Sequence, residues 1–177
     1  EALKAGRASI VTDEIETFTS KGIKLKSGKE LDADIIVTAT GLKLEILGEV
    51  AFDLDGKKVD FAETVTYKNL MFSGVPNLVA TQFGYVNASW TLRADLNSAF
   101  LSRLVNHMGT TGATQVVPVL PPADQGMEHV PWLKDFPAGY FLRDMHRFPK
   151  QGTHEPWLNT QSFWHDKKLL LEDPIDD

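Results

Sequence analysis

The stretch of sequence that decides the fold is Asp34-Ile35-Ile36-Val37-Thr38-Ala39-Thr40-Gly41. A short β-branched run that follows a polar residue and stops at a glycine is typical of a strand buried on both faces in a parallel sheet. Open α/β sheets bind their ligands at the carboxyl ends of such strands. We therefore expect a bound nucleotide beside Ala39, Thr40 and Gly41. A core strand closed by a turn glycine, with no ligand, would have the same sequence.

The residues before this stretch alternate between apolar and polar side chains. The alternating segments are Ala8 to Thr12, Glu14 to Thr19 and Ile23 to Lys26, with glycine turns between the later ones. Period-two alternation between glycine turns predicts a β-meander with one solvated face. Glu30 to Ala33 is expected to connect the meander to the central strand, so that residues 1–41 form one unit.

A hairpin and a second core strand are predicted beyond this unit. The dipeptide Asp55-Gly56 between alternating flanks is a strong hairpin signal. Thr64 to Tyr67 and Leu70 to Phe72 are expected to be extended. A turn at Gly74 to Asn77 then leads into a short buried strand predicted at Leu78 to Thr81.

A long amphipathic helix is predicted after the segment Gln82 to Trp90. Its apolar stripe consists of Leu92, Leu96, Ala99, Phe100, Leu104, Val105 and Met108. The spacing predicts about five helical turns, with Asn87 or Ser89 as N-cap and Gly109 as the end. The free N–H groups and positive dipole at the start of the helix would favour an electron-rich ligand atom. An ordinary capped helix remains the alternative.

Prolines and aromatic residues crowd into the last third of the chain. Most of the prolines lie between residues 110 and 157, which predicts an extended arm rather than a second core. Burying a large apolar side chain contributes ~1.5 to 3 kcal/mol, so we expect this arm to pack on the rest of the chain. Its aromatic residues are Trp132, Phe136, Tyr140, Phe141, Phe148, Trp157, Phe163 and Trp164. The acidic tail from Glu172 to Asp177 is expected to fray.

Composition excludes several classes of function. With 42% hydrophobic and 24% charged residues, the chain has the composition of an ordinary soluble domain. A formal net charge of -6 argues against nucleic acid as a partner. No apolar run reaches the roughly 18 residues of a membrane span and no signal segment is recognisable, so a cytoplasmic location is expected. The absence of cysteine excludes disulfides, thiolate metal sites and thiol catalysis.

The histidines and serines give little support to other chemistries. The five histidines are scattered, with no H-E-x-x-H run, so we expect no metal site. The serines lack the G-x-S-x-G elbow of a serine hydrolase.

Four motifs, taken in order, point to a family. They are Asp34 to Gly41, Gly74 to Leu78, Gly84 to Trp90, and Phe148 to Gly152 with Pro156-Trp157. Together they resemble the C-terminal part of the class B flavin monooxygenases, in particular the Baeyer-Villiger and ethionamide-activating subgroup. The resemblance implies an α/β fold. It would be part of a two-dinucleotide-binding-domain, Rossmann-like flavoprotein with a β-meander, one long helix and an extended C-terminal arm.

The resemblance also implies domain boundaries and chemistry. Residues 1–41 would end the NADPH-binding domain, 42–109 would complete the FAD-binding domain, and 110–177 would cover the active site. The cofactors would be FAD and NADPH. A C4a-peroxyflavin would then insert one oxygen atom of O2 into a ketone, or oxidise a thioether or amine. The implied cofactor contacts are Ala39, Thr40, Gly41, Gly84, Tyr85, Asn87, Ala88 and Ser89.

The sequence also departs from the family pattern. Neither G-x-G-x-x-G fingerprint is present, and the F-x-G-x-x-x-H-x-x-x-W signature is absent. We therefore expect an inactive fragment, with catalytic residues upstream of Glu1 and with self-association through uncovered strand edges. One alternative is a cofactor-free binding or interaction module with a flavoprotein-like sheet. Another is a different flavoprotein of the two-dinucleotide-domain type.

Overall fold

The computed structural model describes residues 1–81 and 84–175. Gln82 and Phe83 of the segment before the long helix, and Asp176 and Asp177 of the acidic tail, lie outside the described residues. The chain divides into two compact units, 1–40 and 41–177. In the described parts of the chain, no helix combines the length and the apolar character that crossing a bilayer requires.

The first unit contains the predicted β-meander. It is a three-stranded antiparallel sheet in the order β1 (Ile15–Thr19), β2 (Gly22–Leu25) and β3 (Glu30–Asp32). The meander is confirmed, but its strands are shifted along the sequence. Ala8 to Thr12 forms no strand, and the third strand lies in the segment Glu30 to Ala33 that was expected to be a connection.

Strands β2 and β3 approach each other closely at Gly22. Gly22 lies opposite Asp32 in the sheet, and a Cβ built on Gly22 would lie only 2.0 Å from the Leu31 carbonyl oxygen. Glycine at this position therefore lets β3 approach close enough to pair with β2.

The strand predicted at Asp34 to Gly41 is absent. The segment is not assigned to any strand, and Ile35 and Val37 are each 82% exposed. No strand among the described residues pairs with it. The β-branched run favours extended backbone, but a buried strand also needs neighbours, and β1, β2 and β3 pair only with one another.

The second unit begins with two small hairpins. The first joins β4 (Asp53–Leu54) to β5 (Lys57–Lys58) and confirms the hairpin predicted at Asp55-Gly56. Both turn residues have positive φ, 53° and 80°, as the favoured two-residue hairpin turn requires. The second joins β6 (Thr66–Tyr67) to β7 (Met71–Phe72) and confirms that these segments are extended.

The strand predicted at Leu78 to Thr81 is also absent. The segment is irregular, and three of its residues are half-buried. The Ala80 N–H donates to the Leu70 carbonyl at 2.8 Å, but no ladder follows. An apolar run of this length does not distinguish a strand from a loop that packs on the core.

The long helix is present and longer than predicted. Helix α1 spans Trp90–Thr111, and the N-cap is Ser89, whose hydroxyl accepts from the Thr91 N–H. The helix passes through Gly109 and ends at Gly112, which has a φ of 73°. A glycine inside a helix costs only about 1 kcal/mol, whereas a left-handed cap strongly favours glycine.

The arm is more structured than the prolines predict. Strand β8 (Val130–Pro131) pairs with β9 (Lys150–Gln151), with helix α2 (Gly139–Asp144) between them in the chain and helix α3 (Phe163–Leu171) after them. Short 3-10 helices lie at Pro122–Asp124 and Met145–Arg147 in the arm, and at Ile46–Glu49 and Phe61–Glu63 before it. Pro131 lies inside β8 and Pro122 begins a 3-10 helix, so proline does not prevent these elements, and the prediction of an extended arm is wrong.

The core of the second unit joins the arm to α1. One apolar cluster consists of Leu70, Met71, Leu96, Phe100, Leu104 and Leu170. It therefore buries one face of α1 against α3. The prediction that the aromatic arm packs on the chain is confirmed for Trp132, Phe141, Phe148 and Trp157, which are buried, whereas Trp164 is 76% exposed.

The tail is held rather than frayed up to Pro174. Arg103 donates to the backbone carbonyls of Leu170 and Asp173, and Lys68 donates to the carbonyl of Pro174 at 3.2 Å. These basic side chains satisfy carbonyl groups at and beyond the end of α3. The small sheets and the helices together confirm the predicted α/β class. A Rossmann-like sheet stays a prediction.

Candidate functional site

A largely apolar cavity of about 340 Å³ lies in the second unit. We call it the site cavity. Its walls come from three segments: Leu42, Leu44, Gly84, Tyr85, Val86, Ala88, Trp90, Trp132, Leu133, Phe136, Tyr140 and Phe141. The volume is at the lower end of the range of about 300 to 1,000 Å³ that is usual for small-molecule sites.

One wall is the segment Gly84 to Ser89, which we call the site loop. Gly84 packs so tightly that a Cβ on it would lie 2.6 Å from the Trp90 Cα. The loop ends at the Ser89 cap of α1, and the Val86 N–H donates to Gln161 Oε1 at 3.0 Å. Glycine at its start and a capping serine at its end thus fix how the loop enters the helix.

A buried polar cluster lies behind the site loop. The Tyr85 hydroxyl donates to Asp166 Oδ2 at 2.8 Å, and Arg93 donates to the same oxygen at 2.5 Å. The Thr160 hydroxyl donates to Asp166 Oδ1 at 2.7 Å. Because Arg93 is 1% and Asp166 3% exposed, this ion pair is removed from water and depends on these hydrogen bonds.

The same cluster perturbs the titration of Tyr85. Burial raises the pKa of the Tyr85 phenol, and the hydrogen bond to the Asp166 carboxylate raises it further, to about 12. Both effects disfavour the phenolate, the first by desolvation and the second by negative charge. Tyr85 therefore remains a neutral hydrogen-bond donor throughout the physiological range.

This shift predicts a loss of stability at alkaline pH. An unfolded tyrosine ionises near pH 10, so the contribution of Tyr85 is complete below that pH and is lost as the pH rises through about 12. Spectrophotometric titration of phenolate should show one tyrosine that ionises late, and Tyr85→Phe should lack this step. If the late step persists in Tyr85→Phe, the assignment is wrong.

The opposite wall of the cavity is built from the aromatic arm. The Trp132 indole N–H donates to Asn69 Oδ1 at 2.7 Å, and Asn69 in turn donates to Asn159. The Trp132 ring lies 6.1 Å from that of Phe141 and 6.3 Å from that of Phe148. Trp132 therefore has a satisfied polar end and a packed apolar body.

The structure brings together part of the predicted site. Gly84, Tyr85 and Ala88 line the site cavity. Asn87 and Ser89 lie exposed in the same loop. Gly41 packs against Tyr140 of the cavity wall, since a Cβ on Gly41 would lie 3.0 Å from the Tyr140 Cβ. Ala39 and Thr40 belong to the first unit.

Sequence reasoning missed the polar cluster. Arg93 and Asp166 lie on different helices, 73 positions apart, and no local motif joins them. The available signal was their position on the helices. Asp166 precedes the buried Leu169 and Leu170 by three and four residues on α3, which places a carboxylate on a buried face.

The residues present fit the ring end of a flavin better than its phosphates. The cavity offers apolar and aromatic walls, and the nearby start of α1 supplies free N–H groups. The sequence contains no glycine-rich phosphate-binding turn of the G-x-G-x-x-G type.

Over residues 1–81 and 84–175, no three His, Asp or Glu side chains lie close enough together to hold a metal ion.

Comparisons with known proteins identify relatives over the whole chain. It is 46% identical over 177 residues to the "FAD-containing monooxygenase EthA" of Mycolicibacterium smegmatis, covering 35% of that protein. It is 46% identical over 176 residues to the protein of the same name from Mycobacterium tuberculosis, again covering 35%. It is 42% identical over 175 residues to the "Probable FAD-binding monooxygenase AlmA" of Acinetobacter baylyi, covering 34%.

The chain thus spans about a third of the length of these relatives. No family model matches the chain, and no solved structure matches it.

Proposed function

We propose that the full protein is an FAD- and NADPH-dependent monooxygenase of the Baeyer-Villiger type, which inserts one oxygen atom of O2 into a ketone or oxidises a sulfur or nitrogen centre. The chain is homologous over its whole length to FAD-containing monooxygenases, so the resemblance predicted from its motifs is confirmed. The observation that carries this proposal is the apolar site cavity between the site loop and the aromatic arm. Its substrates are small molecules, and its location is the cytoplasm.

The site loop holds the flavin ring in this proposal. Gly84, Tyr85, Asn87, Ala88 and Ser89 lie against the ring. The absence of a Cβ at Gly84 allows Trp90 to pack against the loop, and the start of α1 stabilises negative charge on the ring. When bound, FAD supplies the electron transfer from NADPH and the activation of O2.

The other contributions of the chain are orientation and exclusion of water. Trp132, Phe136 and Phe141 present apolar faces to the cavity, and a dry cavity protects reactive species from water. The prediction from the sequence that Ala39, Thr40 and Gly41 contact the cofactor is kept as part of this proposal. The domain boundaries inferred from the sequence, at residues 41 and 109, are part of the same proposal.

An assay of the purified full-length protein tests this function. We expect a flavin absorption spectrum, NADPH oxidation coupled to O2 uptake, and a ketone product heavier by one oxygen atom. Asn87→Ala should shift the flavin spectrum or raise the fraction of NADPH oxidised without product. Asn106→Ala, on the exposed side of α1, is the matched control and should change neither. Absence of bound flavin would contradict the proposal.

The 177-residue chain alone is proposed to be inactive and to self-associate. It contains no phosphate-binding fingerprint, so FAD binding should be weaker than about millimolar, which corresponds to ~4 kcal/mol. Fluorescence titration with FAD checks this, and saturation at micromolar FAD would contradict it. Self-association is proposed to occur through uncovered strand edges. Light scattering that shows a monomer at all concentrations would exclude it.

A further inference from the structure

We infer that Asp166 is a positioning residue that holds the site loop in place. The inference rests on the proposed function, because the loop matters to catalysis only if it faces the flavin. Asp166 lies on α3, outside the cavity lining, and nothing in the sequence motifs assigns it a role. It acts through Tyr85, because Asp166 Oδ2 accepts a hydrogen bond of 2.8 Å from the Tyr85 hydroxyl.

The segment before and within α3 holds the loop at two consecutive residues. Asp166 accepts from the Tyr85 hydroxyl, and Gln161 Oε1 accepts from the Val86 N–H at 3.0 Å. Gln161 is itself held, because its amide donates to Asn159 Oδ1 at 3.0 Å. The loop therefore depends on α3 for its side-chain anchor and on the segment just before α3 for its backbone anchor.

The donors around this position favour a carboxylate. Oδ2 of Asp166 accepts from both Tyr85 and Arg93, and Oδ1 accepts from Thr160. Each partner donates in this arrangement, and the Arg93 guanidinium can only donate. An asparagine that kept its oxygen toward Tyr85 and Arg93 would turn its NH2 group toward the Thr160 hydroxyl, which would then have to accept, and it would leave the Arg93 charge without its counter-ion.

A change at Asp166 would alter the cavity wall without touching a ligand. Tyr85 is 6% exposed and lines the cavity, and its ring packs edge-on against that of Phe163 on α3, at a distance of 6.2 Å. If the hydroxyl loses its acceptor, the ring and the loop backbone beside it lose their fixed position. The predicted consequence is a weaker and spectrally altered flavin site.

Asp166→Asn in the full-length protein is the test, with Asp124→Asn as the matched control. Asp124 is also largely buried and accepts from the Trp157 indole and from His154, but it does not line the site cavity. We expect Asp166→Asn to speed amide hydrogen exchange in residues 84–89 about tenfold and to weaken FAD binding about tenfold. Its visible flavin spectrum should shift, while Asp124→Asn should change none of the three.

Tyr85→Phe provides a milder variant that keeps the Arg93 and Asp166 pair intact. It should reproduce the loop and flavin effects, and the double variant should add little to either single one. The inference is overturned if both Asp166→Asn and Tyr85→Phe leave loop exchange and FAD affinity at the level of Asp124→Asn. If the wild-type protein binds no FAD, the proposed function fails, and loop exchange alone then decides whether Asp166 positions the loop.

Discussion

Trp132→Ala is expected to lower the free energy of unfolding by about 3 to 5 kcal/mol, since it removes a large, fully packed side chain from a core. Trp132 is only 1% exposed and packs against Phe141 and Phe148. The substitution also leaves Asn69 Oδ1 without its indole donor, which adds the cost of an unpaired buried acceptor. The site cavity should lose one wall as a result.

Chemical denaturation of the variant and the wild type measures this loss. Trp164→Ala is the control, because Trp164 is 76% exposed and its removal should cost less than about 1 kcal/mol. Trp132→Phe keeps most of the packing and should cost less than the alanine variant. Equal midpoints for Trp132→Ala and Trp164→Ala would show that this wall does not stabilise the fold.

Arg93→Met is expected to lower the free energy of unfolding by a similar amount, about 3 to 5 kcal/mol, because breaking a buried ion pair leaves the other charge uncompensated. Arg93 is 1% exposed, and it donates both to Asp166 and to the Lys68 carbonyl. Methionine fills a similar volume but donates to neither group. The variant therefore isolates the electrostatic part of the interaction.

A double-mutant cycle checks the cause of this loss. Combining Arg93→Met with Asp166→Asn removes the uncompensated carboxylate, so the pair should cost clearly less than the sum of the two single variants. Arg143→Met, at an exposed position of α2, is the control and should be nearly neutral. Strict additivity in the cycle would mean that the two side chains do not act as a pair.

Local sequence patterns predicted the elements that are stabilised locally. The Asp55-Gly56 hairpin is recognisable from its two turn residues, which have positive φ. The long helix is recognisable from its periodic apolar face and the Ser89 cap. Its end was misplaced because two glycines, Gly109 and Gly112, satisfy the same pattern. Only the backbone of Gly112, with a φ of 73°, reveals which one is the cap.

Elements that depend on distant partners were harder to predict. Ile35 to Val37 has the composition of a buried strand, but pairing is decided by which strands are available, and propensity does not contain that information. Helix α3 was missed although Leu169 and Leu170 are buried on it, since the surrounding prolines suggested irregular structure. Tertiary packing on α1 stabilises it.

The candidate site was also predicted only where its residues are close together in the sequence. Gly84, Tyr85 and Ala88 were identified from a motif contiguous in sequence, and they do line one cavity. Arg93, Trp132 and Asp166 were not identified, because their roles arise from contacts between segments. Motifs therefore found the loop, and only the three-dimensional arrangement found what supports it.

The 81 positions between Tyr85 and Asp166 also order events during biosynthesis. Ribosomes add about 5 to 20 residues per second, so the anchor of the site loop is made about 4 to 16 s after the loop itself. A nascent chain that has already exposed Tyr85 and Arg93 still lacks the carboxylate that both require. Maturation of the cofactor site is thus deferred until translation has passed α3, and a chain released earlier would carry an unanchored loop.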